Sequence, residues 1–337
     1  VAMKKSLLAL AVLGAFAGAA SAQSSVTIYG VIDASIKKGN DGTSALNGDP
    51  NGTINNGEAW TVGPTTSNRL GFRGTEDLGG GMKANFVLEH RFRSDNGGLE
   101  AAAFWQGSSW VSLSGSFGEV RLGRQYVPAF YIGLASDPWG YDYNVAGANS
   151  FTRGGSPISR SSNQVTYLTP NMGGFTAQIA VAPGEGGGAA ASGNPETGNL
   201  RNLGFNVRYT AGPLDVGFGY NDVDAAVDTN YWNLMGSYDL GVVKPILAVS
   251  RGEVGTTETT QYLLGARAPM GAGVLKAVVA RSTVDTGAVE TDTTKFGLGY
   301  EYMLSKRTSV HADVGTAKAD APATRRTAFE VGVKHVF

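Results

Sequence analysis

The chain has 337 residues, a formal net charge of −1 and no cysteine. That excludes disulfides and thiolate metal sites, and it leaves no basic footprint for nucleic acid. Glycine is abundant at 49 residues and charged residues are scarce at 16%, against a typical ~25%.

At the N-terminus Lys4 and Lys5 precede the apolar run "SLLALAVLGAFAGAA", and Ala20-Ser21-Ala22 has the small-residue pattern of a cleavage site. This predicts a signal peptide over 1–22, cleaved, and a single domain over 23–337. Export without disulfides suits a bacterial envelope protein. No later run of 18 apolar residues occurs, so no transmembrane helix is expected.

From Ser25 onward the pattern has period two. "VTIYGVIDASI" sets Val26, Ile28, Gly30 and Ile32 against Thr27, Tyr29, Val31 and Asp33. "LGFNVRYT", "LDVGFGYN" and "KFGLGYEYML" repeat the alternation. Seven short connections, such as "EDLGGGM", "SGSFG" and "LSKR", alternate with eight longer polar ones, at about 38–67, 94–104, 127–160, 183–200, 222–229, 252–259, 283–293 and 317–325. Fifteen connections predict roughly sixteen strands, an even number within the range of outer-membrane barrels. The expected fold is therefore all-β: a transmembrane antiparallel β-barrel, apolar parity toward lipid and polar parity toward a wet lumen. A soluble sandwich or propeller also alternates, but it would leave a large apolar face uncovered. The chain ends inside a strand, "FEVGVKHVF", which suits a last strand closing on the first.

Five stretches together carry a family resemblance: "SVTIYGVIDASI", "SNRLGFRGTEDLGGGMKANFVLEH", "SFGEVRLGRQY", "SNQVTYLTPNMGGFTAQIAV" and "FEVGVKHVF". The sequence resembles the general porins of Gram-negative bacteria, of β-proteobacterial type. The resemblance implies a homotrimer of sixteen-stranded barrels in the outer membrane, in contact with lipid and lipopolysaccharide. It implies a third long loop folded into the lumen, and passive diffusion of small hydrophilic solutes and ions. It also implies that the terminal aromatic, Phe337, is the signal read by the outer-membrane assembly machinery. No cofactor, metal or nucleic acid is expected.

Pore selectivity comes from rings of charge at a narrow point. Parity in "NRLGFRGTE" and "KANFVLEHRFR" turns Arg69, Arg73, Glu89 and Arg91 inward. Arg69 and Arg160 match the positions of the family's basic wall; Arg73 and Arg91 rest on parity alone. The third long loop, "PAFYIGLASDPWGYDYNVAGANSFTRGGSPIS", has two acids, Asp137 and Asp142. Set against the arginines, they would create a transverse field. Trp139, Tyr141 and Tyr143 could narrow the pore by bulk instead. Two departures from the family stand out: Gly107-Ser108 replaces an Arg-Gln pair, and "DPWGYDYN" replaces its acidic, glycine-rich loop tip. The sign of the selectivity is left open.

Two other readings compete. A hydrolase would need a histidine base, and His311 shares the inward parity with Asp313, but no nucleophile motif accompanies them. A substrate-specific channel or a surface adhesin or receptor barrel would use the long polar loops, whose composition is also that of plain solvated loops.

Overall fold

The computed structural model describes residues 25–39, 60–101, 103–142, 144–149, 158–184, 201–224, 228–320 and 323–337. The expected leader over 1–22 and Tyr143 lie outside them. The strands in chain order are β1 (Ser25–Gly39), β2 (Thr61–Gly63), β3 (Asn68–Gly79), β4 (Met82–Phe92), β5 (Ser108–Gly115) and β6 (Gly118–Tyr126). A helix, α1 (Pro128–Ser136), follows, then β7 (Arg160–Leu168), β8 (Phe175–Ala182), β9 (Arg201–Ala211), β10 (Leu214–Asp224) and β11 (Asp228–Tyr238). The chain finishes with β12 (Lys244–Val254), β13 (Thr257–Met270), β14 (Gly273–Asp285), β15 (Glu290–Met303), β16 (Thr308–Asp320) and β17 (Ala323–Val336).

All pairings are antiparallel between neighbours in sequence, except at the seam. There β1 pairs on one side with β17, from Val31↔Val336 to Gly39↔Ala328, and on the other with β3 and β2. Because β2 and β3 lie end to end along β1, they form one stave with a break at Pro64–Ser67. The seventeen segments thus make a closed barrel of sixteen staves. Closure leaves no unpaired edge, which is the condition for a sheet to sit in lipid.

Burial is inverted relative to a water-soluble protein. Val26, Ile28, Leu247 and Tyr262 are exposed on the outer face, whereas Asp33, Lys295 and Glu330 are 0% exposed. The apolar parity faces lipid and the polar parity faces a lumen crowded with side chains. His90 keeps its expected outward parity, stacked on Phe104 at 4.1 Å.

The predicted alternation of short and long connections holds only for the first half of the chain. β12 and β13 meet through 255–256 and β14 and β15 through 286–289. The polar stretches expected as loops there continue the ladder, with Glu253↔Glu258 and Thr283↔Asp292 in register. Their charges pair laterally: Arg251 lies 3.3 Å from Glu253 and 2.6 Å from Glu258, and Arg281 lies 2.5 Å from Asp292. Ladder hydrogen bonds and cross-strand ion pairs let polar residues stay extended beyond the apolar band. Polarity alone did not mark where these strands end.

The connection from β6 to β7 runs inside the barrel. Its first part is α1, which begins with Pro128 in the first turn, where a missing N–H costs nothing. α1 lies against β9, β10 and β11. Asn206 and Asn233 donate to the Pro128 and Ala129 carbonyls at 2.7 and 3.0 Å, and Asn221 accepts from the Ala129 N–H at 3.1 Å. Gly219 makes the approach possible, since a Cβ there would fall 2.6 Å from Ala129 Cα.

Candidate functional site

After α1 the loop continues along the next staves, with Pro138 at Gly265, Ala146 at Gly297 and Val145 at Gly315. Trp139, Val145 and Ala146 pack into a buried cluster with Ile246, Leu263 and Val278. The Val145 N–H donates to Glu330 at 2.9 Å, and Trp139 Nε1 donates to Asp313 at 2.9 Å. The described part of the loop therefore covers the lumenal face from β9 to β17, and the wall that includes β3, β4 and β7 faces it.

That wall carries a basic cluster. Arg91 Nε donates to Glu89 Oε1 at 2.7 Å, and Tyr29 Oη donates to Glu89 Oε2 at 3.1 Å. Arg91 and Arg160 both donate to Tyr126 Oη, at 3.0 and 2.6 Å. The Arg160 guanidinium also sits 4.1 Å from the Tyr126 ring centroid, in cation–π contact. Arg69, anchored to the Ser67 carbonyl at 3.3 Å, acts electrostatically on Glu89 together with Arg91 and Arg160. Three arginines thus converge on one carboxylate and one phenol. Tyr126 in turn stacks on Phe130 of α1 at 4.4 Å, which couples wall to loop.

Two local features set this geometry. A register shift between Gly123 and Gln125 brings Tyr126 opposite Arg160. Asn163 in the partner strand adopts φ 55 there, in the left-handed region that asparagine tolerates. Such bulges re-aim side chains beside functional sites. The second feature is Gly107. A Cβ on it would meet Glu89 Oε1 at 2.6 Å and Arg91 Nε at 3.0 Å. Where relatives were expected to place an arginine, this chain leaves room for Arg91, and Arg160 Nε binds the Gly107 carbonyl at 2.8 Å.

The remaining predicted site residues fall elsewhere. Arg73 lies 5.3 Å from the Tyr29 ring and lines the short-turn half of the lumen with Arg121 and Glu119. It is not part of the arginine cluster. Glu89, expected on the acidic side, is the counter-ion within the basic wall. Asp137 requires a correction: it is 4% exposed and binds the N–H groups of Trp139, Tyr141 and Ala148, at 3.0, 3.3 and 3.3 Å. It organises the loop's own turn instead of facing the arginines. Burial pushes its carboxyl up from the ordinary value despite those bonds and Lys295. Asp142 does meet the wall, accepting from Thr66 Oγ1 at 3.0 Å. Burial pushes its carboxyl up to about 6, opposed by Lys334, Arg69 and Lys276.

Sequence reasoning missed the second wall. Lys276 and Lys334 both bind Glu301, at 2.9 and 2.5 Å. Arg69, Lys276 and Lys334 therefore act on the loop acid Asp142, Arg69, Arg91 and Arg160 act on Glu89, and Lys334 is met by Glu301, Asp142 and Asp33. Strand parity places both lysines on the lumenal face, but they lie far in sequence from the third loop and carry no motif that ties them to it.

His311 also proves richer than a simple dyad. Its Nδ1 is 2.8 Å from Asp313, and its Nε2 is 3.3 Å from both Ser35 Oγ and Asp33 Oδ2. A serine, a histidine and an aspartate are in line, yet Ser35 is 2% exposed and is engaged with Thr65 Oγ1 at 2.6 Å. A nucleophile needs open space for an acyl group, and a Cβ on neighbouring Gly332 would already meet Ser35 Oγ. The cluster braces the seam and the loop.

Comparisons with known proteins agree with this architecture. A family model described as Gram-negative porin matches residues 9–322. Outer membrane porin protein 32 of Delftia acidovorans is 35% identical over 371 residues, covering 99% of this chain and 100% of the relative. An outer membrane porin protein of Bordetella pertussis is 32% identical over 396 residues, with the same coverage. The solved anion-selective porin from Comamonas acidovorans superposes with a TM-score of 0.76 at 29% identity, covering 94% of this chain and 100% of that one.

Proposed function

The chain belongs to the Gram-negative porin family, and on that premise we propose that its outer-membrane barrel is an anion-preferring diffusion pore. It passes small hydrophilic solutes and ions passively. The narrow point lies where the β6–β7 loop faces Arg69, Arg91 and Arg160, with Asp142 as the opposing charge.

The observation that carries this reading is the excess of positive charge on the wall, where Arg69, Arg91 and Arg160 meet a single carboxylate, Glu89. In a water-filled passage with low-dielectric walls, such an excess raises the local concentration of anions and lowers that of cations. The similarity to a porin described as anion-selective points the same way. Glu89 does not cancel the wall, because one carboxylate stands among three guanidinium groups. It holds Arg91 in place.

The same reading includes a homotrimer seated among lipid and lipopolysaccharide, inserted by the outer-membrane assembly machinery through Phe337. The family resemblance and the broad apolar outer face support it. Reversal potentials of the purified protein in planar bilayers, measured across a potassium chloride gradient, test the selectivity. A chloride preference that grows as salt falls is expected. A cation preference would overturn the assignment.

A further inference from the structure

Below the crossing loop, toward the short-turn end, the wall changes chemistry within two residues. β12, β13 and β14 pair Ile246 with Gly265 and Gly265 with Val278. This row carries the loop: Ile246 and Val278 join the buried cluster around Trp139, and a Cβ on Gly265 would fall 2.7 Å from Pro138 Cγ. Two residues further along the same strands, Lys244 pairs with Arg267 and Arg267 with Lys276. Period two keeps these three on the lumenal face. Three basic residues therefore stand side by side on adjacent strands whose backbones lie ~4.8 Å apart, with the Lys276 ammonium drawn to Glu301.

Like charges directly opposite in an antiparallel ladder destabilise it unless something between them compensates. The nearby carboxylates are already engaged. Asp215, on which Lys244 also acts electrostatically, is held by Arg208 through two bonds, at 2.7 and 2.6 Å. Glu301 is shared between Lys276 and Lys334. Lys244 and Arg267 form no ion pair among the described residues. The sector is therefore strongly positive immediately beyond the constriction, on a wall the loop keeps fixed.

We propose that Lys244, Arg267 and Lys276 form an anion-binding shelf for a small solute bearing two or more carboxylate or phosphate groups. The row spans two strand spacings, ~10 Å. That is too wide for one chloride to bridge, but it suits clustered oxyanions, which guanidinium and ammonium groups recognise by charge-assisted hydrogen bonds. The shelf rests on the reading of the lumen as an anion-preferring pore. It adds a residence step on one side of the constriction, so transport of multiply charged anions becomes saturable and side-dependent while monovalent anions pass freely.

The test is side-specific block of chloride current in planar bilayers by citrate and, separately, by pyrophosphate. The orientation of each channel is read by thiol labelling of Lys306→Cys in the β15–β16 turn, the chain having no other cysteine. Half-block by at least one of the two probes is expected at a concentration about fivefold lower from the short-turn side than from the loop side. The pair Lys244→Gln and Arg267→Gln should abolish that difference, whereas Lys244→Arg with Arg267→Lys should keep it. Acetate should show no sidedness in any variant. Whichever probe shows the effect identifies the anionic group preferred. A channel that conducts with chloride preference yet is blocked equally from both sides, or whose sidedness survives the double glutamine variant, overturns the shelf. A channel that prefers cations overturns the underlying pore reading instead.

Discussion

Trp139 and Asp313 are 174 residues apart in sequence and joined by a single 2.9 Å hydrogen bond from indole Nε1 to Oδ1. Asp313 is itself fixed by His311, which reaches Asp33 and Ser35 on β1. Asp33 accepts from the Thr65 and Thr66 N–H groups in the break between β2 and β3. The loop is thus fastened to the seam where the barrel closes. Replacing Trp139 with phenylalanine keeps most of the packing and deletes the bond, leaving a buried acceptor short of a partner at a cost of ~1–3 kcal/mol. Because Val145 and Asp142 still hold the loop, the expected result is looser docking and not release. Open-channel noise and brief sub-conductance steps should increase in W139F. A quiet channel of unchanged conductance would show that the remaining contacts suffice.

Asp142 gives the pore a pH dependence with a defined sign. Its carboxyl is pushed up to about 6 from an ordinary 3.8, chiefly by burial. Above pH 6 it is charged and offsets part of the basic excess; below, it is neutral and the excess grows. Chloride preference should therefore rise as pH falls from 7.5 to 5. Asp142→Asn should hold the acid-limb selectivity at all pH values in this range. Linkage gives the companion sign for stability. A raised carboxyl pKa favours the docked loop fully below the unfolded value, and that contribution is lost as pH rises through about 6. A reversal potential that is flat with pH in the native chain would remove Asp142 from the pore.

Most of the fold was legible because lipid enforces a rule that sequence can show. Every stave must alternate, and closure needs an even number of them; the Val26–Ile32 stretch and the terminal Phe329–Phe337 stretch display it openly. The helix was hidden for the opposite reason. "PAFYIGLAS" is apolar on all sides, because it is wedged between wall and loop, so no 3.6-residue period marks it. The strand ends near Gly255 and Gly287 were hidden by polar residues that pair above the lipid. For the site, parity turned Arg69, Glu89 and Arg91 toward the lumen, where regular strand places them. The expectation that the loop acid Asp137 opposes the arginines failed because its role depends on N–H groups supplied by the fold of the loop itself. The meeting of Arg160 with Tyr126 depends on a bulge, and a bulge breaks the very periodicity used to read orientation.

Arg69 and Arg160 should separate charge from bracing. Among the described residues Arg69 has one hydrogen bond, to the Ser67 carbonyl at 3.3 Å, whereas Arg160 binds the Gly107 carbonyl and Tyr126 and stacks on its ring. Arg69→Gln should shift the reversal potential toward cations with little change in thermal stability. Arg160→Gln should shift both, since it strips Tyr126 of a partner. The potential shifts should be larger at 0.01 M salt, where the Debye length is ~30 Å, than at 0.1 M, where it is ~10 Å. If Arg160→Gln lowers stability alone, the residue is a brace and the field is set by Arg69, Arg91 and the two lysines.

Phe337 and Gly30 close the barrel. Each donates its N–H to the other's carbonyl, at 3.0 and 3.1 Å, and the Phe337 ring covers Gly30, where a Cβ would fall 2.4 Å from Cζ. Deleting Phe337 removes both bonds and the ring; Phe337→Ala removes only the ring. If the aromatic ring is what the assembly machinery reads, both variants should lower the yield of folded trimer in outer-membrane fractions. The channels that do assemble should keep native conductance, because the ring faces away from the lumen. If only closure matters, Phe337→Ala should assemble normally and the deletion should not. Gly30→Ala tests the fit from the other side: its Cβ would also lie 2.5 Å from the Arg69 carbonyl, and overpacking of this kind costs ~1–3 kcal/mol. The heat-dependent gel shift of the folded trimer should therefore move to lower temperature in G30A. An unchanged shift would mean that the terminal ring can swing aside without loosening the seam.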